Sequence, residues 1–132
     1  MDNGEAFGSP GIEPRWTSSS KDGVGTAISS HSRIWFTLSH GIVNEVYFPR
    51  IDTADLRDHQ FLVAGDDFFA EERRDTIHRI RPYKPGVPAF VVENSARNGR
   101  FRITKTVFTD PDADVLVEHV KFTTFRKAVR AG

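Results

Sequence analysis

The chain has 132 residues and not one cysteine. Disulfide frameworks, thiolate nucleophiles and cysteine-ligated zinc are therefore excluded. Net charge is also missing: 18 basic side chains face 18 acidic ones, so no nucleic-acid partner is expected. Long apolar runs are absent, the longest being the four-residue stretches Phe61–Ala64 and Ala89–Val92, too short for a membrane span. The opening Met1-Asp2-Asn3-Gly4-Glu5 has neither a basic nor an apolar leader region. No secretion signal is visible, and a cytoplasmic location is the expectation. Helical periodicity is scarce too. The candidates are single turns at Thr53–Arg57, after Asp52 as a cap, and at Phe69–Arg74.

What the chain does have is phenylalanine, eleven residues of it against one methionine and two tryptophans. That balance favours strands and stiff cores. From Gly25 onward short apolar runs alternate with turn signals. Strands are expected at Arg33–Leu38 and Ile42–Phe48 around Ser39-His40-Gly41, then at Arg57–Ala64 and Arg73–Arg81. Ala89–Ser95 and Phe101–Thr109 flank Asn98-Gly99, a strong hairpin signal. Val115–Phe125 is the last strand. About seven strands at this spacing read as an all-β antiparallel sandwich.

The domain reading is an ordered N-terminal arm over residues 1–24, the sandwich over 25–125 and a tail over 126–132. Pro10 and Pro14 stiffen the arm and Trp16 offers a large anchor, which a flexible linker would not need. Trp16 is expected to be at least partly buried. Several strands are apolar on both faces: Ile34, Phe36 and Leu38 alternate with Trp35, and Ile42, Val46 and Phe48 with Val43 and Tyr47. A sheet with one wet face alternates more cleanly. A second cover is expected, and the exposure should be worst at these two strands. Charge is split, with residues 1–66 acidic on balance and 67–132 basic. That reads either as solvated strand faces or as complementarity for head-to-tail or antiparallel self-association.

No motif carries chemistry. Asp110-Pro-Asp112-Ala-Asp114 imitates the start of a calcium loop, but Val115 stands where glycine is needed and Lys121 where a glutamate is needed. It reads as a turn. The five histidines, His31, His40, His59, His78 and His119, lack ligand spacing, and His119 reads as a mid-strand residue. Gly23-Val24-Gly25 has no strand before it or helix after it, so it is a poor phosphate loop. The carboxylates Glu13, Glu45, Asp52, Asp55, Asp58, Glu71 and Glu72 read as exposed solubilising charge. No metal and no cofactor is expected.

The stretch Gly8–Ala27, GSPGIEPRWTSSSKDGVGTA, is more specific. With Trp35-Phe36-Thr37-Leu38-Ser39-His40-Gly41, then Asn44-Glu45-Val46-Tyr47-Phe48-Pro49 and Asp52, it resembles the opening of the bacterial family 15 glycoside hydrolases, the glucoamylases and glucodextranases. Weaker likeness follows at Phe68-Phe69, Glu71-Glu72, Gly86-Val87-Pro88-Ala89 and Arg100–Phe122. The resemblance implies the first half of an N-terminal β domain of the galactose-mutarotase-like supersandwich type, with residues 126–132 as a tail. It also implies that the catalytic glutamates sit in an (α/α)6 barrel outside this region, so no catalytic residue carries over. The implied role is packing against that barrel. The candidate interface or sugar-proximal residues are Trp16, Lys21, His40, Glu45, Tyr47, Arg50 and Asp52. Three other readings follow: a small α-glucan-binding module using Trp16, Tyr47 and Phe69 as sugar platforms, a self-assembling β domain, and a homodimer or higher oligomer that closes the half-sandwich.

Overall fold

A computed structural model describes residues 20–126. The arm expected at residues 1–24, with Trp16, lies outside these residues apart from its last part. Within them are ten strands and one helical turn. One sheet is built in chain order from β1 (Gly23–Thr26), β2 (Trp35–Ser39), β3 (Ile42–Tyr47) and β4 (Ala54–His59). A second sheet has the order β10-β9-β8-β7, from β7 (Thr76–Pro82), β8 (Phe90–Ala96), β9 (Phe101–Thr109) and β10 (Leu116–Thr124). Between them in sequence come the ribbon β5 (Leu62–Ala64) and β6 (Phe69–Glu71) and the turn α1 (Glu72–Asp75). All pairings are antiparallel. Among the described residues, no helix is long and apolar enough to cross a membrane.

The two sheets share one core. Phe36, Leu38, Val43 and Val46 of the first pack with Val92 and Val107 of the second, which makes the fold a sandwich. Full burial of a side chain such as Phe36 contributes about 2–3 kcal/mol. The Gly-Val-Gly segment is the edge strand β1, not a phosphate loop. A Cβ on Gly25 would lie 2.1 Å from the Phe36 ring, so glycine here admits the ring under the backbone. A smaller core joins the ribbon to the second sheet through Ala70, Ala96, Phe101 and Ile103, with Phe61, Val63 and Phe68 against it.

Turn chemistry explains the hairpins. Ser39 pairs with Ile42, leaving the two-residue loop His40-Gly41 with φ of 53° and 76°, the left-handed pair of a type I′ turn. The hairpin at Asn98-Gly99 forms too, by a different route. Only Gly99 is left-handed there, and its N–H bonds to Ala96 O at 2.9 Å. Asp110 closes the β9–β10 connection by accepting the N–H groups of Asp112 and Ala113 at 2.8 and 3.1 Å, the turn expected of that segment. His119 is mid-strand in β10, opposite Thr106.

Four expectations are corrected. Thr53–Arg57 is not helical: the chain turns at Arg50–Thr53 and enters β4, where Leu56 pairs with Val46. The open edge of β3 outweighs a weak local cap. Arg57–Ala64 is not one strand. Asp58 turns left-handed at φ 51° and β5 leaves the first sheet for the ribbon. The single turn expected at Phe69–Arg74 begins as strand and becomes helical only at Glu72. Finally, β2 and β3 are not the exposed strands. Phe36, Leu38, Ile42 and Val43 are at most 1% exposed, whereas Phe69 and Phe122 are 61% and 50% exposed.

Gly41 is constrained twice, by a left-handed φ of 76° and by close neighbours. A Cβ there would meet Asn94 Oδ1 and His78 Nδ1, each at 2.3 Å, while Gly86 has a similar φ and open space around it. Gly86→Ala should therefore cost only the conformational strain, about 1 kcal/mol, and Gly41→Ala roughly 3 kcal/mol or more. Urea unfolding of the two variants measures the difference; equal losses would contradict the clash.

Candidate functional site

Two polar clusters stand out. The first gathers three of the residues singled out from the sequence. β3 presents Glu45 and Tyr47 on one face at a two-residue interval, and Lys21 reaches them from beside β1. Lys21 Nζ lies 3.0 Å from Glu45 Oε1, and the Tyr47 hydroxyl donates to Glu45 Oε2 at 2.5 Å. Buried Asn44 extends the cluster, its carbonyl 2.7 Å from the Lys21 ammonium and its NH2 2.6 Å from Thr37 Oγ1. An ammonium only donates, so the amide oxygen must face it.

The other candidates do not join this cluster. His40 sits in the β2–β3 turn, where its N–H donates to Asp22 Oδ2 at 3.2 Å and its ring contacts Ser39 Oγ at 2.7 Å. Arg50 and Asp52 pair with each other at 3.0 Å on the exposed β3–β4 connection. Trp16 lies outside the described residues.

The second cluster went unread in the sequence. Glu72 is fully buried, which corrects the reading of that carboxylate as exposed solubilising charge; Glu45 is likewise only partly exposed. Glu72 Oε1 takes Lys105 Nζ and Asn94 Nδ2, both at 2.6 Å, and Oε2 takes the Phe61 N–H at 2.8 Å. Asn94 Nδ2 also donates to Gly41 O at 2.8 Å, and Asn94 Oδ1 lies 2.9 Å from His78 Nδ1. Lys105 has a second carboxylate, Glu118, at 3.4 Å, which in turn meets His59 Nδ1 at 3.0 Å. Neither Lys105 Nζ nor Glu118 Oε1 has an aligned hydrogen bond, so charge holds this end of the network. One signal was available. In β9, Phe101, Ile103, Lys105, Val107 and Thr109 all point inward, and a lysine on that stripe must find a buried anion. Glu72 left no such trace, because α1 follows no period.

The chemistry of the clusters is limited. A glycosidase holds two carboxylates across an accessible sugar. Glu72 is sealed from solvent, and Glu118 is spent on Lys105 and His59. Glu45 is held by Lys21 and Tyr47. Among the described residues no group of three or more His, Asp or Glu side chains could hold a metal ion.

Two outcomes follow. Lys105→Met leaves Glu72 buried without its cation and should cost about 3–5 kcal/mol in urea unfolding, with E72Q/K105M recovering part of the loss. The Tyr47 phenol is pushed up to about 12, first by its hydrogen bond to Glu45, then by burial and by the carboxylate's charge. The folded state thus keeps a proton that the unfolded chain releases near pH 10. The stabilisation is complete below pH 10 and is lost as pH rises toward about 12. In a Tyr83→Phe background, which leaves one tyrosine, phenolate absorbance should rise near pH 12, and Glu45→Gln should bring that rise to lower pH.

Comparison with known proteins gives this arrangement its context. The family profile described as glucodextranase, domain N matches residues 6–131, running past Phe122, where the motif likeness thins. A glucoamylase of Clostridium sp. (strain G0005) is 40% identical over 123 residues, 92% of this chain and 18% of the glucoamylase. The crystal structure of a bacterial glucoamylase complexed with acarbose matches with a TM-score of 0.85 at 38% identity, over 94% of this chain and 18% of that one. The chain thus spans 18% of the length of the relatives it matches. With the carboxylates of both clusters committed to internal partners and its fold shared over nearly the whole chain, the protein belongs to the glucodextranase domain N family, a non-catalytic N-terminal β domain of glucoamylase-type enzymes.

Proposed function

We propose that this domain serves α-glucan hydrolysis by docking, packing against a catalytic portion of a glucoamylase-type polypeptide that carries the chemistry. One observation carries the reading. On β10, Val120 and Phe122 sit opposite Lys105 and Ile103, on the inward face of the second sheet, yet they are 37% and 50% exposed. The first sheet reaches β10 only as far as the His59–Glu118 contact. Beyond it the ribbon covers the inward face at Phe101 and Ile103 but leaves Val120 and Phe122 open, and among the described residues β10 is an edge strand of its sheet. An apolar inward face and an unpaired edge at the same place call for added polypeptide. A sugar-platform role finds less support: Tyr47 spends its hydroxyl on Glu45, and Phe69, though exposed, is not one of a row.

Purified chain should release no glucose from maltooligosaccharides, because a hydrolase needs an acid and a base that this fold does not present to a substrate; measurable release overturns the reading. Where the catalytic portion is absent, a second copy should take its place on β10. Light scattering at micromolar concentration should then give a mass above 14.9 kDa that falls on dilution, and Phe122→Asp should shift the balance to monomer. A monomer at all concentrations would mean that the face needs no cover.

A further inference from the structure

The opposite face of the second sheet carries a different pattern. Its outward residues fall in register rows across four strands. Arg81, Val91, Thr106 and His119 form one row; Arg79, Glu93, Thr104 and Lys121 the next; Ile77, Ser95, Arg102 and Thr123 the third. Four permanent cations thus share this face with one carboxylate, Glu93. Elsewhere among the described residues most cations are bridged: Lys21, Arg33, Arg50, Arg57, Arg73, Arg74, Arg100 and Lys105 all have carboxylate partners within 3.6 Å. On this face, among the described residues, Arg79, Arg81 and Lys121 have no carboxylate within ion-pair distance, and Arg102 reaches Glu93 only at 3.9 Å.

Above the first row the character changes. Phe108 pairs with Val117, and together with Tyr83, Val87 and Pro88 of the β7–β8 connection they line an open apolar groove of about 590 Å³. Thr104 and Thr106, successive outward residues of β9, lead from the cationic rows into this groove.

We infer that this outward face is a second docking surface, and that it takes a polypeptide segment whose apolar side chain fills the groove while carboxylates beside it pair with Arg79, Arg81 and Lys121. The chemistry selects the occupant. A neutral glucan has no charge to match three unbridged cations. A uniformly charged polyanion has nothing to place in an apolar groove. Guanidinium groups pair planar carboxylates in two-point fashion, and groove and cations lie within one or two register rows of each other. The inference rests on the reading of this chain as a docking module but uses the face away from Val120 and Phe122, so the two can fail separately.

The test uses a synthetic peptide with a Leu-Phe centre flanked on both sides by glutamates. Controls are the same peptide with lysines for glutamates, polyglutamate of equal charge, and heparin. The glutamate peptide should bind the whole chain with sub-millimolar affinity and weaken as salt rises from about 50 to about 300 mM. R79E/R81E should lower its affinity about tenfold, and Tyr83→Ser, at an exposed groove position, should also lower it. Both variants should keep the self-association through β10 and the urea midpoint of the parent. Absence of binding overturns the inference. So does equal or tighter binding of polyglutamate or heparin, which would make the face a bare polyanion surface. Binding unaffected by R79E/R81E overturns it as well.

Discussion

The buried contact of Glu72 with Lys105 and Asn94 is the constraint on which the rest of the molecule depends. Three chain segments distant in sequence meet there. Asn94 of β8 holds the carbonyl of Gly41 at the tip of the β2–β3 hairpin, and so pins the first sheet onto the second. Glu72 of α1 holds the N–H of Phe61, and so pins the ribbon. Lys105 supplies the charge that lets a carboxylate stay inside. A buried ion pair contributes little net stability compared with apolar side chains of the same volume, because desolvation offsets most of the attraction. Its effect is on arrangement. Glu72 has to be where two donors and one cation converge, and few other packings of ribbon on sheet would satisfy it.

A second constraint acts at the other end of the sandwich. The Arg33 side chain and N–H both grip Asp114, at 2.6 Å for the closest contact of each, which ties the approach to β2 to the β9–β10 connection. The pairing holds the Asp114 carboxyl below its usual range, chiefly through the guanidinium hydrogen bond. Arg33 also lies over the Phe48 ring at 5.1 Å. This pair is largely in water and contributes little by itself; the register of the two sheets rests on the buried network and the shared apolar core.

These internal commitments bear on function. Glu72 is sealed from solvent and Glu45 and Glu118 are paired, so what these clusters leave to the domain is its surfaces. One is an apolar inward face that runs beyond the first sheet along β10. The other is an outward face where unbridged cations adjoin an apolar groove.

The sequence by itself determined the fold class, the strands from β8 to β10, the latter two-thirds of the strand expected at Arg73–Arg81, which begins only at Thr76, and the β2–β3 hairpin with its His40-Gly41 turn. Period-two patterning and turn residues are local properties, written in neighbouring positions. The grouping of Lys21, Glu45 and Tyr47 was legible in part, since Glu45 and Tyr47 share a strand face. What only tertiary structure decided was where open edges and buried charges would fall. The expected turn at Thr53–Arg57 became β4 because β3 offered an edge, a competitor invisible in that segment. Glu72 read as surface charge because its partners, Asn94 and Lys105, lie 22 and 33 positions away. The apolar faces of β2 and β3 were right as apolar and wrong as exposed. Burial depends on what lies across the sandwich, and alternation along a strand records only which side faces it.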